Sequence, residues 1–243
     1  MWSATAGLLL LDHVPLARGA RILDLGCGTG FPMLELAERS GPGALVCGVD
    51  PWIAALARAR AKAETWGIAG AVAIAGSGGR LPFREGAFDL AVSNFGVNNF
   101  DDPPAVFAEC RRVLRPGGRL AFTTNLVGHM AELYAALAGM LRDRGDTAAL
   151  ERLDAHVRHR ATVAGLKRLC SGAGLVVERV RRRRLAMRFA SGEALFGHHL
   201  IRLGFLPAWS SVADDETLRM ATAALPAPLS LTLPLAYVEA VRG

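Results

Sequence analysis

The sequence predicts an α/β protein built on a doubly wound, mostly parallel sheet of seven strands. Three observations lead to this prediction. Short apolar strands alternate with helical segments over the first half of the chain, a glycine-rich turn follows the first strand, and two further strand-like segments occur near the end. Continuous apolar strands indicate a sheet that is covered on both faces, and right-handed crossovers then make it doubly wound.

The first half of the chain contains five of these strands. They are predicted over residues 21–25, 45–49, 71–75, 88–93 and 119–124, with helices over 4–14, 31–39, 51–66 and 103–114. Two helix starts have capping signals: Asp50 precedes Pro51, and Asp102 precedes two prolines. An aspartate at the N-cap followed by a proline at the first helical position is typical of a helix start.

The second half is less regular. Helices are predicted over residues 130–142, 148–159, 163–173, 191–203 and 214–224, with the last two strands over 175–180 and 229–241. Because we find no internal repeat or linker, we expect one domain, 1–243. It would consist of a core, 1–125, helical insertions, 126–160 and 191–225, and the remaining sheet elements, 161–190 and 226–243.

Composition narrows the class of protein. About half of the residues, 51%, are hydrophobic, and the longest apolar runs are far shorter than the roughly 20 residues that a membrane span needs. The four cysteines are scattered and form no Cys-x-x-Cys pair, and the first residues lack a basic signal-peptide region. We therefore expect a cytoplasmic protein without a membrane span.

The net charge of +6 arises mainly from arginine, and its densest cluster is Arg181 to Arg184. Nucleic-acid surfaces combine a broad basic face with aromatic residues that stack on bases. Aromatic residues are sparse around this cluster, so a solvated strand or loop is favoured over a phosphate-binding patch. We expect no nucleic-acid partner.

The glycine-rich turn is the strongest functional signal. It reads Asp24-x-Gly26-x-Gly28-x-Gly30, directly after an apolar strand and before a helix. Glycines at such a turn let a ligand lie against exposed peptide groups close to a helix start, which predicts a nucleotide-like ligand. A dinucleotide fingerprint needs a third glycine three residues after the second, and that place holds Phe31 or Met33 in the two possible registers.

Four ordered motifs between Arg21 and Asn125 resemble those of the class I S-adenosylmethionine-dependent methyltransferases. They are the glycine turn, the second strand ending in Asp50, the segment from Leu81 to Asp89, and the segment from Leu114 to Leu120. Four motifs in the right order are far more specific than a glycine loop alone. Within this family, the sequence resembles the small-molecule branch typified by ubiquinone and menaquinone biosynthesis methyltransferases.

The resemblance implies S-adenosyl-L-methionine as the cofactor. The turn would hold the methionine part, Asp50 would bind the ribose hydroxyls, Trp52 would lie against the adenine, and Asn94 would lie at the carboxyl edge of the sheet. The residues implied to bind the cofactor are Asp24, Gly26, Cys27, Gly28, Gly30, Asp50, Trp52, Ser77 and Asn94. Taken singly, Asp24 is equally well explained as a turn residue and Asp50 as a helix cap.

Ser77 departs from the family pattern. The family usually has an aspartate after the third strand, which accepts a hydrogen bond from the adenine amino group, whereas this chain reads Gly76-Ser77-Gly78. A neutral hydroxyl is a weaker acceptor than a carboxylate. On this basis, Ser77→Asp is expected to tighten cofactor binding by roughly 1 kcal/mol.

Methyl transfer from a sulfonium needs alignment, exclusion of water and, for some acceptors, removal of a proton. No metal-binding pattern is found among the histidines, and no catalytic residue is identified beyond His129, a weak candidate for a base because it follows the fifth strand. A surface or helix-start histidine is the more common explanation of such a residue. The resemblance implies that the helical insertions shape the acceptor site, and their apolar content suggests an apolar or aromatic small molecule.

Three alternatives remain open. The chain could bind S-adenosylmethionine without catalysis, it could methylate nucleic acid or protein, or it could be a nicotinamide-dependent dehydrogenase. The dehydrogenase is disfavoured by the missing third glycine. Methylation of base amino groups is disfavoured because the fourth strand leads into Asn94-Phe95-Gly96-Val97 rather than an Asn/Asp-Pro-Pro-aromatic sequence. The identity of the acceptor, the atom methylated and the oligomeric state are not predicted.

Overall fold

The computed structural model describes residues 2–243, which contain seven strands and eleven α-helices. The strands are β1 (Arg21–Leu25), β2 (Leu45–Asp50), β3 (Ala71–Ala75), β4 (Phe88–Asn94), β5 (Leu114–Asn125), β6 (Leu175–Phe189) and β7 (Leu229–Arg242). The helices are α1 (Trp2–Leu11), α2 (Met33–Ser40), α3 (Ile53–Thr65), α4 (Pro103–Val113), α5 (Ala131–Asp143), α6 (Thr147–Arg158), α7 (Val163–Gly172), α8 (Gly192–Gly197), α9 (His199–Gly204), α10 (Leu206–Ser210) and α11 (Asp215–Ala223). A 3-10 helix spans Gly96–Asn99.

The strands form one sheet in the order β3-β2-β1-β4-β5-β7-β6, which confirms the predicted α/β class and the strand count. β1 pairs in parallel with β2 on one side and with β4 on the other. After β1, the chain adds β2 and β3 on one side of this strand and then returns to add β4 and β5 on the other side. The switch point of the sheet therefore lies between β1 and β4. In doubly wound sheets, ligands bind outside the carboxyl ends of the strands at this switch point.

The sheet has a continuous apolar interior. The central strands are almost fully buried, and β1 alone buries Ile22, Leu23 and Leu25 to 1% exposure or less. The inner face of α4 contributes to this interior, since Val106, Cys110 and Val113 are buried. Burial on both faces explains why these strands lack a polar alternation.

The chain forms two compact units. The first comprises the chain up to Thr124 together with Val163–Arg182 and Ala236–Gly243, and the second comprises Asn125–Thr162 and Arg183–Leu235. Within the second unit, Trp209, Tyr134 and Leu137 are buried, as are the aromatic rings of Phe196 and Phe205. No helix within residues 2–243 is long and apolar enough to cross a membrane.

Several predicted boundaries were wrong. β6 continues to Phe189, well past residue 180, where the prediction ended it. The prediction stopped too early because the exposed residues Arg181 to Arg184 belong to the strand but have no apolar pattern. The helix predicted over 191–203 is two helices, since His198 adopts an extended backbone conformation between them. Residues 206–210 form a short helix that was not predicted.

Candidate active site

A cavity of ≈ 400 Å³ lies at the carboxyl ends of β1 to β4, entirely within the first unit. This is the location that the switch point predicts. Its lining comes from the ends of the four strands, the loops after them and the start of α4: Leu25, Gly26, Val49, Asp50, Pro51, Trp52, Gly76, Ser77, Gly78, Gly79, Asn94, Phe95, Gly96, Asn99, Phe100, Asp101, Asp102 and Val106. Five of the residues implied to bind the cofactor are among them.

Two glycines form the base of this cavity at the switch point. Gly26 has a φ of 74° and donates its N–H to the carbonyl of Val49 at 2.8 Å. A Cβ atom on Gly26 would lie 3.1 Å from the Cα atom of Gly96, and one on Gly96 would lie 2.7 Å from the carbonyl oxygen of Leu25. The turns after β1 and β4 thus approach each other so closely that neither accepts a side chain.

Asp50 connects the end of β2 to the glycine turn. One carboxylate oxygen accepts a hydrogen bond from the N–H of Gly28 at 2.9 Å, and the other accepts from the N–H of Trp52 at 2.8 Å. The prediction that Asp50 caps a helix beginning at Pro51 was therefore wrong: α3 begins at Ile53, and Trp52 is its N-cap. Because both oxygens are oriented by backbone donors, the carboxylate is held in a fixed position at the cavity.

The remaining residues of the turn are not among the residues that line the cavity. Gly28 has open space around its missing side chain, but Gly30 packs tightly, since a Cβ atom there would lie 2.9 Å from Leu34. The thiol of Cys27 is buried, and burial raises the pKa of this thiol above its ordinary value. A Cβ atom on Gly48 would lie 2.6 Å from the Cys27 sulfur. Gly30 and Cys27 therefore shape the turn through packing.

Asp24 is fully buried in β1, behind the glycine turn. Burial raises the pKa of its carboxyl group to about 7, and the negative charge of Asp50 adds to the rise. Neither oxygen makes a well-formed hydrogen bond within the described residues, and the N–H of Met33 lowers the pKa only in part. A nearby positive charge would stabilise the ionised form of such a carboxyl group.

Trp52, Ser77 and Asn94 occupy three different parts of the lining. The side chain of Trp52 is 63% exposed at the rim, and Ser77 accepts a hydrogen bond from the N–H of Gly79 at 3.3 Å. The amide of Asn94 is engaged inside the protein: it donates to the carbonyl of Ser3 at 2.9 Å and accepts from the hydroxyl of Thr123 at 2.8 Å. Asn94 therefore fixes the end of β4 against α1 and β5.

Sequence reasoning missed the segment that follows β4. Phe95 has a φ of 64°, which is unusual for a residue other than glycine, and it leads into the tight position of Gly96. Asp101 and Asp102 then close the same cavity. The signal that could have found this turn is the glycine two residues after the strand end, directly beside the glycine turn of β1 in a parallel sheet.

The charge of the lining indicates the kind of ligand that fits. Within residues 2–243, the lining contains three aspartates and no lysine, arginine or histidine. A dinucleotide pyrophosphate would be repelled by this surface, whereas a ligand with a sulfonium and an ammonium group would be attracted. The residues present therefore fit S-adenosylmethionine, with a backbone cradle at Gly26 and Gly96 and an oriented carboxylate at Asp50. The described residues contain no cluster of three groups able to hold a metal ion.

His129 belongs to the second unit and is not part of the cavity lining. Its ring is 1% exposed and stacks on Phe205 with 5.6 Å between the ring centroids. Burial lowers its pKa to about 3, and the positive charges of Arg160 and His156 act in the same direction. The ring is therefore neutral at physiological pH and a weak proton acceptor.

The fold and the cavity together fit a protein that binds S-adenosylmethionine. Residues 23–122 match the family model described as a methyltransferase domain. The chain is also 33% identical to the nocamycin O-methyltransferase of Saccharothrix syringae, over 94% of this chain and 88% of that protein. The chain belongs to the class I S-adenosylmethionine-dependent methyltransferases and uses S-adenosyl-L-methionine as its cofactor.

Other relatives match a smaller part of the chain. The demethylmenaquinone methyltransferase of Thermus thermophilus is 44% identical to this chain over 49% of its length, and the match covers 51% of that protein.

Among solved structures, the YcgJ protein of Bacillus subtilis has a TM-score of 0.68 at 18% identity, with 98% of each chain covered. The [4+2]-cyclase SpnF has a TM-score of 0.63 at 18% identity, covering 98% of this chain and 80% of that one. These structural similarities concern the fold.

Proposed function

We propose that this chain transfers a methyl group from S-adenosylmethionine to a hydroxyl oxygen of a small apolar or aromatic molecule. The observation that carries the choice of oxygen is the 33% identity to an O-methyltransferase over 94% of the chain, including the helical segments after Asn125. The match to the Thermus thermophilus menaquinone enzyme, in contrast, covers about half of the chain. The names of both relatives give a small molecule as the acceptor, nocamycin in one case and demethylmenaquinone in the other.

The first unit supplies the cofactor site. Asp50 would accept hydrogen bonds from the two ribose hydroxyls, because a carboxylate with two acceptor oxygens suits a vicinal diol. The cradle at Gly26 and Gly96 would receive the methionine part against peptide groups, and Trp52 would cover the adenine. Asp24, whose carboxyl group gains from a positive charge, would favour the ammonium group from behind the turn.

When bound, S-adenosylmethionine supplies a methyl group on a positively charged sulfur, which leaves as a neutral thioether. The protein's task is to align the attacking oxygen with this methyl group and to exclude water. We assign no general base: His129 has a pKa of about 3, and the cavity lining contains no histidine, lysine or tyrosine among the described residues. An acidic hydroxyl, such as an enol or a phenol, ionises without one.

The competing functions make different predictions. A non-catalytic binding protein would bind the cofactor without label transfer. The fold alone does not establish methyl transfer, since a solved structure of similar fold, SpnF, is named a [4+2]-cyclase. A nucleic-acid or protein methyltransferase would label a macromolecule. We also place the enzyme in the cytoplasm, because all four cysteines are free and buried.

The test is incubation with S-adenosylmethionine that carries a trideuterated methyl group, using a small-molecule extract and separate nucleic-acid and protein fractions. We expect mass spectrometry to find the label in small molecules, bonded to oxygen. A panel of phenols and enols then gives the pH dependence of kcat, which should follow the pKa of each acceptor. Label in nucleic acid or protein alone would contradict the proposal.

A further inference from the structure

Ser77 is a weaker acceptor for an adenine amino group than the aspartate that the family usually has at this position. Its hydroxyl already accepts from the N–H of Gly79, at 3.3 Å, within its own turn. The family's usual aspartate is absent at this position, yet the amino group of an adenine still needs an acceptor when it leaves water. A second element of the cavity lies directly beside this loop and carries two carboxylates.

That element is the start of α4. A Cβ atom on Gly78 would lie 3.1 Å from a methyl carbon of Val106, so the loop after β3 packs against the first turns of α4. Asp101 and Asp102 precede this helix and line the same cavity as Ser77. The end of the cavity that is bounded by the β3 loop therefore has carboxylates within its wall.

The three carboxylates of the lining differ in how they are engaged. Asp50 uses both oxygens for backbone donors, and Asp102 accepts from the N–H of Ala105 at 3.1 Å as the N-cap of α4. Asp101, in contrast, makes no hydrogen bond or ion pair within the described residues. It is the one lining carboxylate among them without a hydrogen-bond donor. Its acceptor capacity is available to a ligand.

Building on the cofactor site of the proposed function, we infer that Asp101 accepts the hydrogen bond from the adenine amino group and takes the place of the aspartate that Ser77 replaces. In this chain, the carboxylate that binds the amino group thus lies at the start of α4 instead of at the end of β3. Two consequences follow. Asp101 selects an amino group over a carbonyl oxygen at position 6 of the purine. Ser77→Asp then gains little affinity while Asp101 is present, in place of the tightening that the sequence alone predicts.

The experiment compares S-adenosylhomocysteine with S-inosylhomocysteine, in which a carbonyl oxygen replaces the amino group, by titration calorimetry. Asp101→Asn should weaken binding of S-adenosylhomocysteine about tenfold and reduce the preference for the adenosyl compound, because an amide donates to the carbonyl oxygen. Asp12→Asn, the same change at an exposed carboxylate outside the cavity, is the matched control, and it should change neither quantity more than about twofold.

The double variant Ser77→Asp, Asp101→Asn should recover most of the affinity lost in Asp101→Asn. Unchanged affinity and preference in Asp101→Asn would overturn the inference, as would a tenfold tightening by Ser77→Asp alone or an equal loss of affinity in Asp12→Asn. These outcomes leave the cofactor site itself intact. Failure of the wild-type chain to bind S-adenosylhomocysteine would instead overturn the proposed function and this inference with it.

Discussion

At the scale of single residues, the proposed cofactor site depends most on Asp50. Its oxygens are oriented by Gly28 and Trp52, so little reorganisation is needed when a diol approaches. We expect Asp50→Ala to weaken S-adenosylmethionine binding by roughly 1.5–3 kcal/mol, as for a hydrogen bond to a charged group. Titration calorimetry measures this loss, and Asp12→Ala, at an exposed site outside the cavity, is the control. Equal affinities of the two variants would rule out the ribose contact.

Asp24 gives the protein a distinctive pH dependence. Its pKa is about 7 in the folded chain and 3.8 without the fold, so the folded state holds the proton more tightly. The free energy of unfolding therefore includes a contribution from the protonated carboxyl group that is fully present below about pH 4. This contribution is lost as pH rises through about 7. We expect Asp24→Asn, which carries no charge, to be more stable than wild type near pH 8 by on the order of 2–4 kcal/mol.

Urea unfolding near pH 5 and pH 8 measures this difference. The wild-type free energy of unfolding should fall between the two pH values by more than that of Asp24→Asn. The same slope in both proteins would show that Asp24 does not titrate in this range.

At the scale of elements, the approach of the turns after β1 and β4 is the tightest feature of the site. Gly96→Ala places a Cβ atom 2.5 Å from the hydroxyl of Ser93 and 2.7 Å from the carbonyl of Leu25, so the turns must separate. We expect a loss of about 1–3 kcal/mol in unfolding free energy, as for overpacking, together with weaker cofactor binding. The matched control is Gly139→Ala in α5, where a Cβ atom meets nothing within 4 Å.

Gly139→Ala should raise stability by about 0.5–1 kcal/mol and leave cofactor affinity unchanged, because alanine favours the helix. Thermal unfolding and calorimetry measure both quantities for the pair. If Gly96→Ala were as stable and as tight a binder as wild type, the close approach of the turns would be refuted.

The sequence analysis predicted elements well where apolar patterns and turn residues agree. β1 and β3 have the predicted bounds, and Asp102 caps α4 as expected. It failed where tertiary contacts decide. Asp50 looked like a cap because a proline follows it, but its carboxylate is taken by the N–H of Gly28, from a different part of the chain. Nothing local to the second strand predicts that contact.

At the scale of the whole molecule, the cavity proposed to bind the cofactor lies in the first unit, and helices α5, α6 and α8 to α11 lie in the second. The second unit has its own buried polar network: the Trp209 N–H donates to the hydroxyl of Tyr134 at 3.0 Å, and that hydroxyl lies 3.0 Å from Nε2 of His156. We expect Tyr134→Phe to lower the unfolding free energy by about 1–3 kcal/mol, because it leaves the buried Trp209 N–H without its acceptor.

The cavity lies within the first unit, so Tyr134→Phe should leave the affinity for S-adenosylhomocysteine unchanged. Chemical denaturation and calorimetry on the same sample separate the two effects. A parallel loss of affinity would show that the second unit contributes to cofactor binding.

The acceptor site marks the limit of the sequence analysis at this scale. The aromatic residues suggested as its lining, such as Phe196 and Trp209, are buried in the second unit, where they contribute to its interior. A hydrophobic residue in an inserted helix has the same pattern whether it packs a core or faces a ligand. The proposed class of acceptor is therefore supported by the relatives. The proposed cofactor site is supported by the cavity in the first unit.

We propose that the cavity between Gly26, Asp50 and Gly96 binds S-adenosylmethionine for transfer of its methyl group to a small molecule. The most direct test follows the trideuterated methyl group by mass spectrometry, with wild type and Asp50→Ala compared below saturation with S-adenosylmethionine. The account predicts a labelled small molecule with wild type and a rate lower by roughly tenfold or more with Asp50→Ala. Cofactor binding without label transfer to any small molecule would contradict it.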